Sequence, residues 1–553
     1  MSIQHALTSS AVWLVFTTSL LASVQDQAGD TESYVDRVKR EGAYLELSLK
    51  DAIRLALLNN LEIQIENYNE ELNRELILVT KGFYDPLLIL EVGLDSRRNP
   101  TSSILDAGSG VSINTFKSVG FSSILQQNVQ SGGQFRLSFD NNRSTTNSLF
   151  RFMNPSFGSN FDLSFTQPLW RGFLKTQTER QLKLHNLGHR ISDSQFKQKV
   201  SEIIQQVENQ FWELVFAVEN HETRRQSMEL AALQYRNNER RVQVGVLAPI
   251  EITSSQAEVA TREQEMIQGE VQIINAQNGL KRLLAADNQS SLWNLTLLPT
   301  DRPQMQPIGI TLPDAISMAL ERRPELEQIQ LELEKVGVDR DYYRKETKPQ
   351  VNLVANLAST GRAGQIFQDI LADTDGDGVP DTRVGRSSDL SNPFFGNFGS
   401  AWSQVFGYDY INYGVALNLQ VPLRNRTDEA QLAQVGINER RHFSRLKNQQ
   451  QLILVEVRNS FEEIAIQGKR LDAARVARRL SEEQLQGENK RFEAGLSTNF
   501  ELLRYQRDLA QAQVQELRAL VDYQLAVTAL QKAMYTIVDE RDLVVARRNG
   551  EAP

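Results

Sequence analysis

The chain repeats itself, and a chain that builds the same succession of elements twice has few folds open to it. SLKDAIRLALLNNLEIQIE from Ser48 is answered by TLPDAISMALERRPELEQIQLE from Thr311, with Asp51-Ala52-Ile53 matching Asp314-Ala315-Ile316 at an offset of 314 − 51 = 263 positions. Each copy opens with Ser or Thr and carries an acidic residue three places on, the signature of a capped helix start. YDPLLILEVGL around Pro86 matches TKPQVNLVANL around Pro349 at the same offset, and both read as strands entered through proline. FDLSFTQPLWRG, with Pro168, matches YGVALNLQVPLRN, with Pro422, at an offset of 254, and Phe211, Gly245 and Gln256 match Phe461, Gly495 and Gln506 at 250. The constant final offset means that two helical hairpins match without a gap. Length differences therefore fall around the strands and at the start of the hairpin.

The hairpins read as coiled coils. Ile453, Val457, Ser460, Ile464, Gln467, Leu471 and Ala474 follow a 4,3 spacing, and Ile203, Val207, Gln210, Leu214, Ala217 and His221 repeat it in the first half. Ala512, Ala519, Ala526 and Ala533 fall seven apart on the returning helix, where small side chains let neighbouring backbones approach. From Ser192 to Val244 no proline interrupts the pattern. At the standard rise that run is roughly 80 Å long, beyond an ordinary globular helix. Helices alone would fit a plain structural coiled coil.

Strand-like alternation appears at Leu87 to Leu94, Phe161 to Gln167, Val351 to Leu357 and Tyr413 to Val421. TFKSVGFSSILQQ from Thr115 and GQFRLSFDNN from Gly133 form a further candidate hairpin, turned at Ser131-Gly132-Gly133. Aromatic residues gather beside these segments: Phe150, Phe152, Phe157, Phe161, Phe165 and Trp170, then Phe394, Phe395, Phe398, Trp402, Phe406, Tyr408, Tyr410 and Tyr413. They fit the interfacial girdles of a membrane barrel, with a soluble sandwich core as the alternative. Four strands cannot close a pore, so a barrel requires several copies of the chain.

Composition narrows the function. A net charge of −9 and the lack of a basic tract argue against a nucleic-acid partner. With no cysteine, disulfides, thiolate metal sites, thiol catalysis and lipid attachment through Cys are excluded. Ala11 to Ala22 reads AVWLVFTTSLLA, an apolar run of signal-peptide length with a cleavage point between Ala22 and Ala28. Beyond it no apolar run is long enough for a helical span, which leaves strands as the means of crossing a membrane. The expected organisation is a signal peptide over 1–24, a linker over 25–45, a first structural repeat over 46–300, a second over 301–540 and a tail over 541–553.

Taken together, the duplicated helix starts, the prolines Pro168 and Pro422, and the turns RRVQVGVLAPIEITSSQAE from Arg240 and KRFEAGLSTNFELLRYQRDLAQAQ from Lys490 resemble the TolC-like outer-membrane efflux protein family, over residues 45 to 537. The resemblance implies a mainly α fold with membrane β structure. It would be a trimeric β-barrel, with four strands per chain and twelve in all, continuous with a periplasmic α-helical coiled-coil tunnel. The implied function is the outer-membrane channel of a tripartite efflux or type I secretion complex, with no enzyme activity and no required cofactor. Its partners would be two further copies of itself, a periplasmic adaptor, an inner-membrane transporter and outer-membrane lipid. The competing reading is a structural coiled-coil or adaptor protein of the cell envelope.

Carried over residue by residue, the adaptor-docking tips are Val244, Gly245, Val246 and Leu247, and Ala494, Gly495, Leu496 and Ser497. Gly245 and Gly495 suit a left-handed helix C-cap, and Pro249 suits the start of the next helix. Six places after each glycine stand Glu251 and Glu501, which the resemblance puts at the periplasmic entrance, where carboxylates favour cations. Nine places after stand Ser254 and Arg504, where the family pattern has a second acidic residue. Arg504 paired with a carboxylate would latch a closed gate.

Two other motifs carry chemistry. His185 and His189 lie four apart without the Glu of a zinc protease and read as surface or seam residues. Asp373, Asp375, Asp377 and Asp381 occupy positions 1, 3, 5 and 9 of a calcium-loop pattern, with Gly378 at position 6 and Val384 in place of the closing Glu. This would be a Ca²⁺ site in an external loop, the alternative being an acidic turn. Titration calorimetry with Ca²⁺ is expected to give binding heat that Asp375→Ala abolishes; equal traces for both proteins would remove the site.

Overall fold

The computed structural model describes residues 32–101, 112–148, 151–305, 308–372 and 382–539. The expected leader and tail, Phe150 and the carboxylates Asp373, Asp375, Asp377 and Asp381 lie outside the described residues. The first repeat runs α1 (Tyr34–Glu41), β1 (Tyr44–Leu47), α2 (Leu49–Asn59), α3 (Leu61–Lys81), β2 (Leu87–Pro100), β3 (Ile113–Asn128), β4 (Gln134–Thr146), β5 (Met153–Pro168), α4 (Gln177–Gln243) and α5 (Ile250–Leu284). The second runs β6 (Thr296–Pro299), α6 (Leu312–Arg322), α7 (Pro324–Glu346), β7 (Gln350–Ala372), β8 (Thr382–Ser388), α8 (Phe398–Gly407), β9 (Ile411–Gln420), α9 (Arg426–Glu493) and α10 (Asn499–Ala533). Contacts group the chain into two units, one of residues 1–70, 192–329 and 445–553 and one of residues 71–191 and 330–444. Among the described residues no helix is long and apolar enough to cross a membrane.

In the first unit the matched helix starts are capped alike. Ser48 and Thr311 accept from the backbone N–H of Asp51 and Asp314, and each hydroxyl donates to the same aspartate at 2.6 Å. The strand before each, β1 and β6, pairs with its counterpart in parallel, Tyr44 opposite Thr296 and Leu47 opposite Pro299. Part of the stretch expected as a linker is thus structured: α1 is capped by Ser33 and ended by Gly42 at φ 79, and β1 follows it.

The 4,3 seams face inward. Ile203, Val207, Leu214 and Ala217 are buried together with Phe211, Ile273, Leu280 and Val521 in one apolar cluster, and Ile453 and Val457 join Ala319, Leu530 and Ala533 in another. The heptad alanines Ala512, Ala519, Ala526 and Ala533 are all buried.

His221 closes the first seam in an awkward place. Its side chain is 4% exposed and neither ring nitrogen has a hydrogen-bond partner. Burial lowers its pKa below the ordinary 6.5; Glu270, 3.9 Å away, and Glu222 oppose that shift, while Arg37 and Arg225 reinforce it. Tyr34 packs edge-on against the ring. The unfolded chain therefore takes up a proton that the folded chain refuses, so this contribution to stability is present above the ordinary pKa and is lost as pH falls through it. His221→Gln should make the melting temperature, read by helical circular dichroism, fall less between neutral and mildly acidic pH than the wild type's does. Parallel curves for the two proteins would contradict this.

The second unit is built on an antiparallel sheet in the order β2-β3-β4-β5-β7, with β9 on the far side of β7 and the short β8 on β7's distal end. The four anticipated strand segments lie in β2, β5, β7 and β9, and the further candidate hairpin forms as β3 and β4. Among the described residues the sheet thus has six long strands, the four expected and the two of the candidate hairpin. The turn between β3 and β4 needs Gly132, whose φ is 89 and whose Cβ would lie 2.3 Å from the Gly172 carbonyl oxygen. In the second repeat β8 and α8 occupy the place that this hairpin holds in the first.

Directly opposed residues share a face of a sheet. One row reads Leu88, Leu125, Leu137, Leu163, Leu357, Tyr413 across the six strands. On the other face a row reads Glu91, Ser122, Asp140, Asn160, Thr360. Glu91, Ser122, Asp140, Asn160 and Arg362 line a recess of about 770 Å³. Where the strands end, ion pairs fix the turn into the helices: Arg171 to Glu346 at 2.6 Å and Asp428 at 3.4 Å, Lys175 to Asp341 at 2.7 Å, and Arg180 to Asp339 at 2.7 Å.

Candidate functional site

Both hairpins turn by the same backbone device. Gly245 and Gly495 are left-handed, at φ 78 and 74, and each donates its N–H three residues back, to Val242 and Phe492. The next residue donates five back, from Val246 to Arg241 and from Leu496 to Arg491, both at 2.8 Å. This is the Schellman ending, which satisfies the last helical carbonyls and needs a residue without a Cβ at its centre. The turns differ in how the next helix starts. Pro249 precedes α5 without a side-chain cap, whereas Thr498 caps α10 by accepting from the Glu501 N–H.

The tips present apolar side chains to solvent. Val244, Val246 and Leu496 are 74%, 71% and 71% exposed, and Ile250 and Phe500 beside them are also exposed. Gly245, Ala494 and Gly495 are exposed as well, while Leu247 and Ser497 are half-buried. Ser497 donates to Glu488, a buried carboxylate that also pairs with Arg491 at 3.1 Å. The Arg241 guanidinium lies 4.7 Å from the centre of the Phe492 ring and joins the end of α4 to the end of α9.

Just inside the tips the hairpins are held by a buried amide cluster. Asn238 donates to Ser255 Oγ at 2.7 Å and to Asn499 Oδ1 at 2.8 Å. Gln234 donates to Asn238 and Asn499, and Asn499 donates to Ser255 Oγ and to Glu251 Oε2, both at 3.2 Å. Asn238, Ser255 and Asn499 are almost wholly buried. One turn further along, Arg507 of α10 pairs with Glu258 of α5 at 2.9 Å, and the buried Arg262 holds the same carboxylate at 2.8 Å. The first hairpin and the start of α10 are therefore clasped by neutral amides backed by one ion pair.

The four residues expected at the entrance divide between two settings. Glu251 enters the clasp through Asn499, while Ser254 is exposed and its neighbour Ser255 takes the buried place. Glu501 and Arg504 pair with each other at 2.9 Å one turn apart on α10, and Arg504 also lies over the Tyr505 ring. Arg504 is thus engaged within its own helix, and Arg507 is the arginine that reaches across. Asn238 continues the 4,3 spacing that passes through His221, so a polar residue at a seam position was the signal available for it. Asn499 gave no such signal, since only the folded turn brings it to Asn238.

Removing one member of a buried network leaves its partners unsatisfied, at about 1–3 kcal/mol each. Asn499→Ala is expected to raise the leak conductance of the protein in planar bilayers by roughly ten-fold or more on that scale. Arg504→Ala is expected to change it little. The reverse ranking would show that Arg504, and not the clasp, restrains the hairpin ends.

The family model described as outer membrane efflux protein matches residues 120–286 and 315–534, one segment in each repeat. No curated protein sequence matches the chain. Among solved structures, the Campylobacter jejuni CmeC outer membrane channel superposes with a TM-score of 0.60 at 14% identity, covering 88% of this chain and 85% of that one. A membrane protein from Pseudomonas aeruginosa gives 0.61 at 14%, with 90% and 94% covered. The Vibrio cholerae outer membrane protein VceC gives 0.58 at 12%, with 88% and 95% covered. At these identities the likeness is one of fold.

Proposed function

Because the chain belongs to the outer membrane efflux protein family and is an outer-membrane efflux channel, not an enzyme, we propose that it works as a homotrimer whose sheets close one barrel and whose hairpins form a periplasmic tunnel. The observation that carries this is the sheet. It has an apolar face, a polar face and two edges, β2 and β9, that no strand of the described chain covers. In lipid an open edge leaves backbone groups without partners, so the β2 edge of one copy pairs with the β9 edge of the next. Three copies of six long strands give eighteen, where twelve were expected from four per chain. A barrel of that size leaves an aqueous channel, with the row of Glu91, Asp140 and Asn160 toward the lumen.

The hairpins support the same assembly. On α5, Ile267, Val271 and Ile274 form an exposed 4,3 stripe, and α9 exposes Leu452, Val455, Ile466, Val476 and Leu480. These are apolar side chains on helices whose first seam is already filled, as expected of a second seam toward a neighbouring copy. Val244, Val246 and Leu496 at the tips suit the apolar loops of a periplasmic adaptor, with an inner-membrane transporter beyond it. Substrates then leave passively through the lumen. The family match sets aside the reading as a structural coiled coil or an adaptor.

Electron cryomicroscopy of the detergent-extracted protein should show threefold symmetry and eighteen long strands. A monomeric particle would end the reading, and a twelve-stranded barrel would mean that β3 and β4 leave the sheet on assembly.

A further inference from the structure

From Ser391 to Tyr408 the chain carries no Asp, Glu, Lys, Arg or His. Within this stretch α8 is firmly built. The Asn397 side chain accepts from the Gly399 N–H at 2.8 Å, and the far end closes on Tyr408 in the left-handed region at φ 58. Tyr408 N–H donates to Val405 at 3.3 Å and Asp409 N–H to Gln404 at 3.1 Å.

The helix lies on the apolar face of the sheet. Phe398 meets Phe121 and Phe157 with ring centres 5.9 and 4.9 Å apart, and Trp402 lies 6.1 Å from Phe139. Beneath it the rows of that face change character. The row Leu125, Leu137, Leu163, Leu357 gives way, four residues along the strands, to Phe121, Asn141, Ser159, Gly361. The Ser359 hydroxyl donates to the Val405 carbonyl at 2.7 Å, the Trp402 indole N–H and the Ser159 hydroxyl donate to Asn141 Oδ1 at 2.7 Å, and the Arg362 N–H donates to Gln404 at 2.9 Å. A Cβ on Gly361 would lie 2.0 Å from the Ala401 carbonyl oxygen, so this glycine admits the helix. The sheet is shaped to receive α8.

The parts of α8's aromatic side chains that the sheet leaves uncovered are where the anomaly lies. Trp402 and Phe406, and Tyr408 and Tyr410 beyond the helix end, are 38%, 62%, 55% and 46% exposed. A surface helix facing water carries charge on that side. α8 itself shows Trp and Phe with no charge, which is what a helix shows to the membrane interface, and Asp409, between the two tyrosines, lies beyond its end. The height agrees. β9 covers ten residues, from Ile411 to Gln420. At roughly 3.4 Å per residue and a tilt of about 40° that rises roughly 25 Å, the height of a barrel's apolar band. Ile411 pairs with Ser359, the residue on which α8 rests, so α8 sits at the margin of the band away from the strand-to-helix junctions. Leu169 and Trp170, both exposed, stand at the opposite margin.

We infer that α8 is an interfacial membrane helix on the outer wall of the barrel, with bilayer lipid of the outer leaflet as the occupant of its aromatic side. It covers the polar patch of Asn141, Ser159 and Ser359 from lipid, and it sets the depth of the barrel through Trp402, Phe406, Tyr408 and Tyr410. This rests on the barrel reading of the sheet.

The chain has no cysteine, so single-site labelling is clean. An environment-sensitive fluorophore would be placed by Phe406→Cys, and independently by Ser403→Cys on the same exposed side. Val415→Cys on the lower apolar face and Asn418→Cys on the polar face serve as references. Each protein is reconstituted in phosphatidylcholine vesicles carrying a nitroxide either shallow or deep in the acyl chain. The expected result is loss of fluorescence at 406 and 403 with the shallow nitroxide, at 415 with the deep one, and at 418 only with aqueous iodide. Adding Gly361→Val should abolish the lipid quenching at 406 and leave that at 415. Quenching of 406 and 403 by iodide alone, with 415 still quenched by lipid, would overturn the inference and leave the barrel standing. Protection of 406 and 403 from both quenchers would give that side to another protein surface and overturn it too. Loss of lipid quenching at 415 would refute the barrel itself.

Discussion

An unpaired strand edge cannot stand in hydrocarbon, because nothing there replaces the missing hydrogen bonds. Much of this architecture answers that constraint. Six strands in register satisfy each other's backbone groups through the middle of the sheet, from Leu88 opposite Leu125 to Leu357 opposite Tyr413. What remains is the outer side of β2 and the outer side of β9. Their exposed faces are apolar as well, with Leu90, Val92 and Leu94 at one edge and Tyr413, Val415 and Leu417 at the other. A sheet with two open edges and an exposed apolar face has backbone groups and side chains still to be covered, which is the ground for the association proposed above.

The same logic governs the helical part by different means. Helices satisfy their own backbones, so their assembly depends on side chains. Each hairpin spends one seam internally, around Val207 and Leu214 or around Ile453 and Val457, and keeps a second apolar stripe outside. Small residues at Ala512, Ala519 and Ala526 bring the returning helix close. Where the seams meet the turns, packing gives way to the amides of Asn238, Asn499 and Gln234. A buried neutral network holds position by geometry and has little to gain by opening part-way, which suits a joint with two discrete states.

Periodicity made the helical hairpins legible in the sequence, and the glycines at 245 and 495 made their turns so, because both depend on local pattern. The strand count was less legible. The spacing between matched prolines differs by only nine residues between the repeats, 168 − 86 = 82 against 422 − 349 = 73, yet the first repeat spends that length on β3 and β4 and the second on β8 and α8. Near-equal lengths hid unlike structures. Three of the aromatics that read as a girdle on strands, Phe398, Trp402 and Phe406, stand on α8, whose cap at Asn397 lies among glycines and serines that look like loop. At the entrance, Glu251, Ser254, Glu501 and Arg504 were chosen by distance from a glycine. Burial is not written in that distance, and it is Ser255, not Ser254, that turns inward.

Duplication also explains why the tip is asymmetric. At the constant 250-residue offset, Asn238 is answered by Glu488, Ser255 by Tyr505 and Asn499 by Pro249. None of these counterparts repeats the clasp. Glu488 turns instead to Ser497 and Arg491 within its own hairpin, and Pro249 has no side-chain donor. In the homotrimer proposed above, six hairpins would alternate first and second, so two kinds of joint would alternate as well. The joint inside a chain has the amide clasp and the Arg507–Glu258 pair. A joint between chains would have to use residues outside the clasp, such as the exposed Ser254 and the self-paired Glu501 and Arg504. Within the chain, the clasp and the Arg507–Glu258 pair tie the first hairpin to the start of α10, so the two hairpin ends of one chain are built to move together.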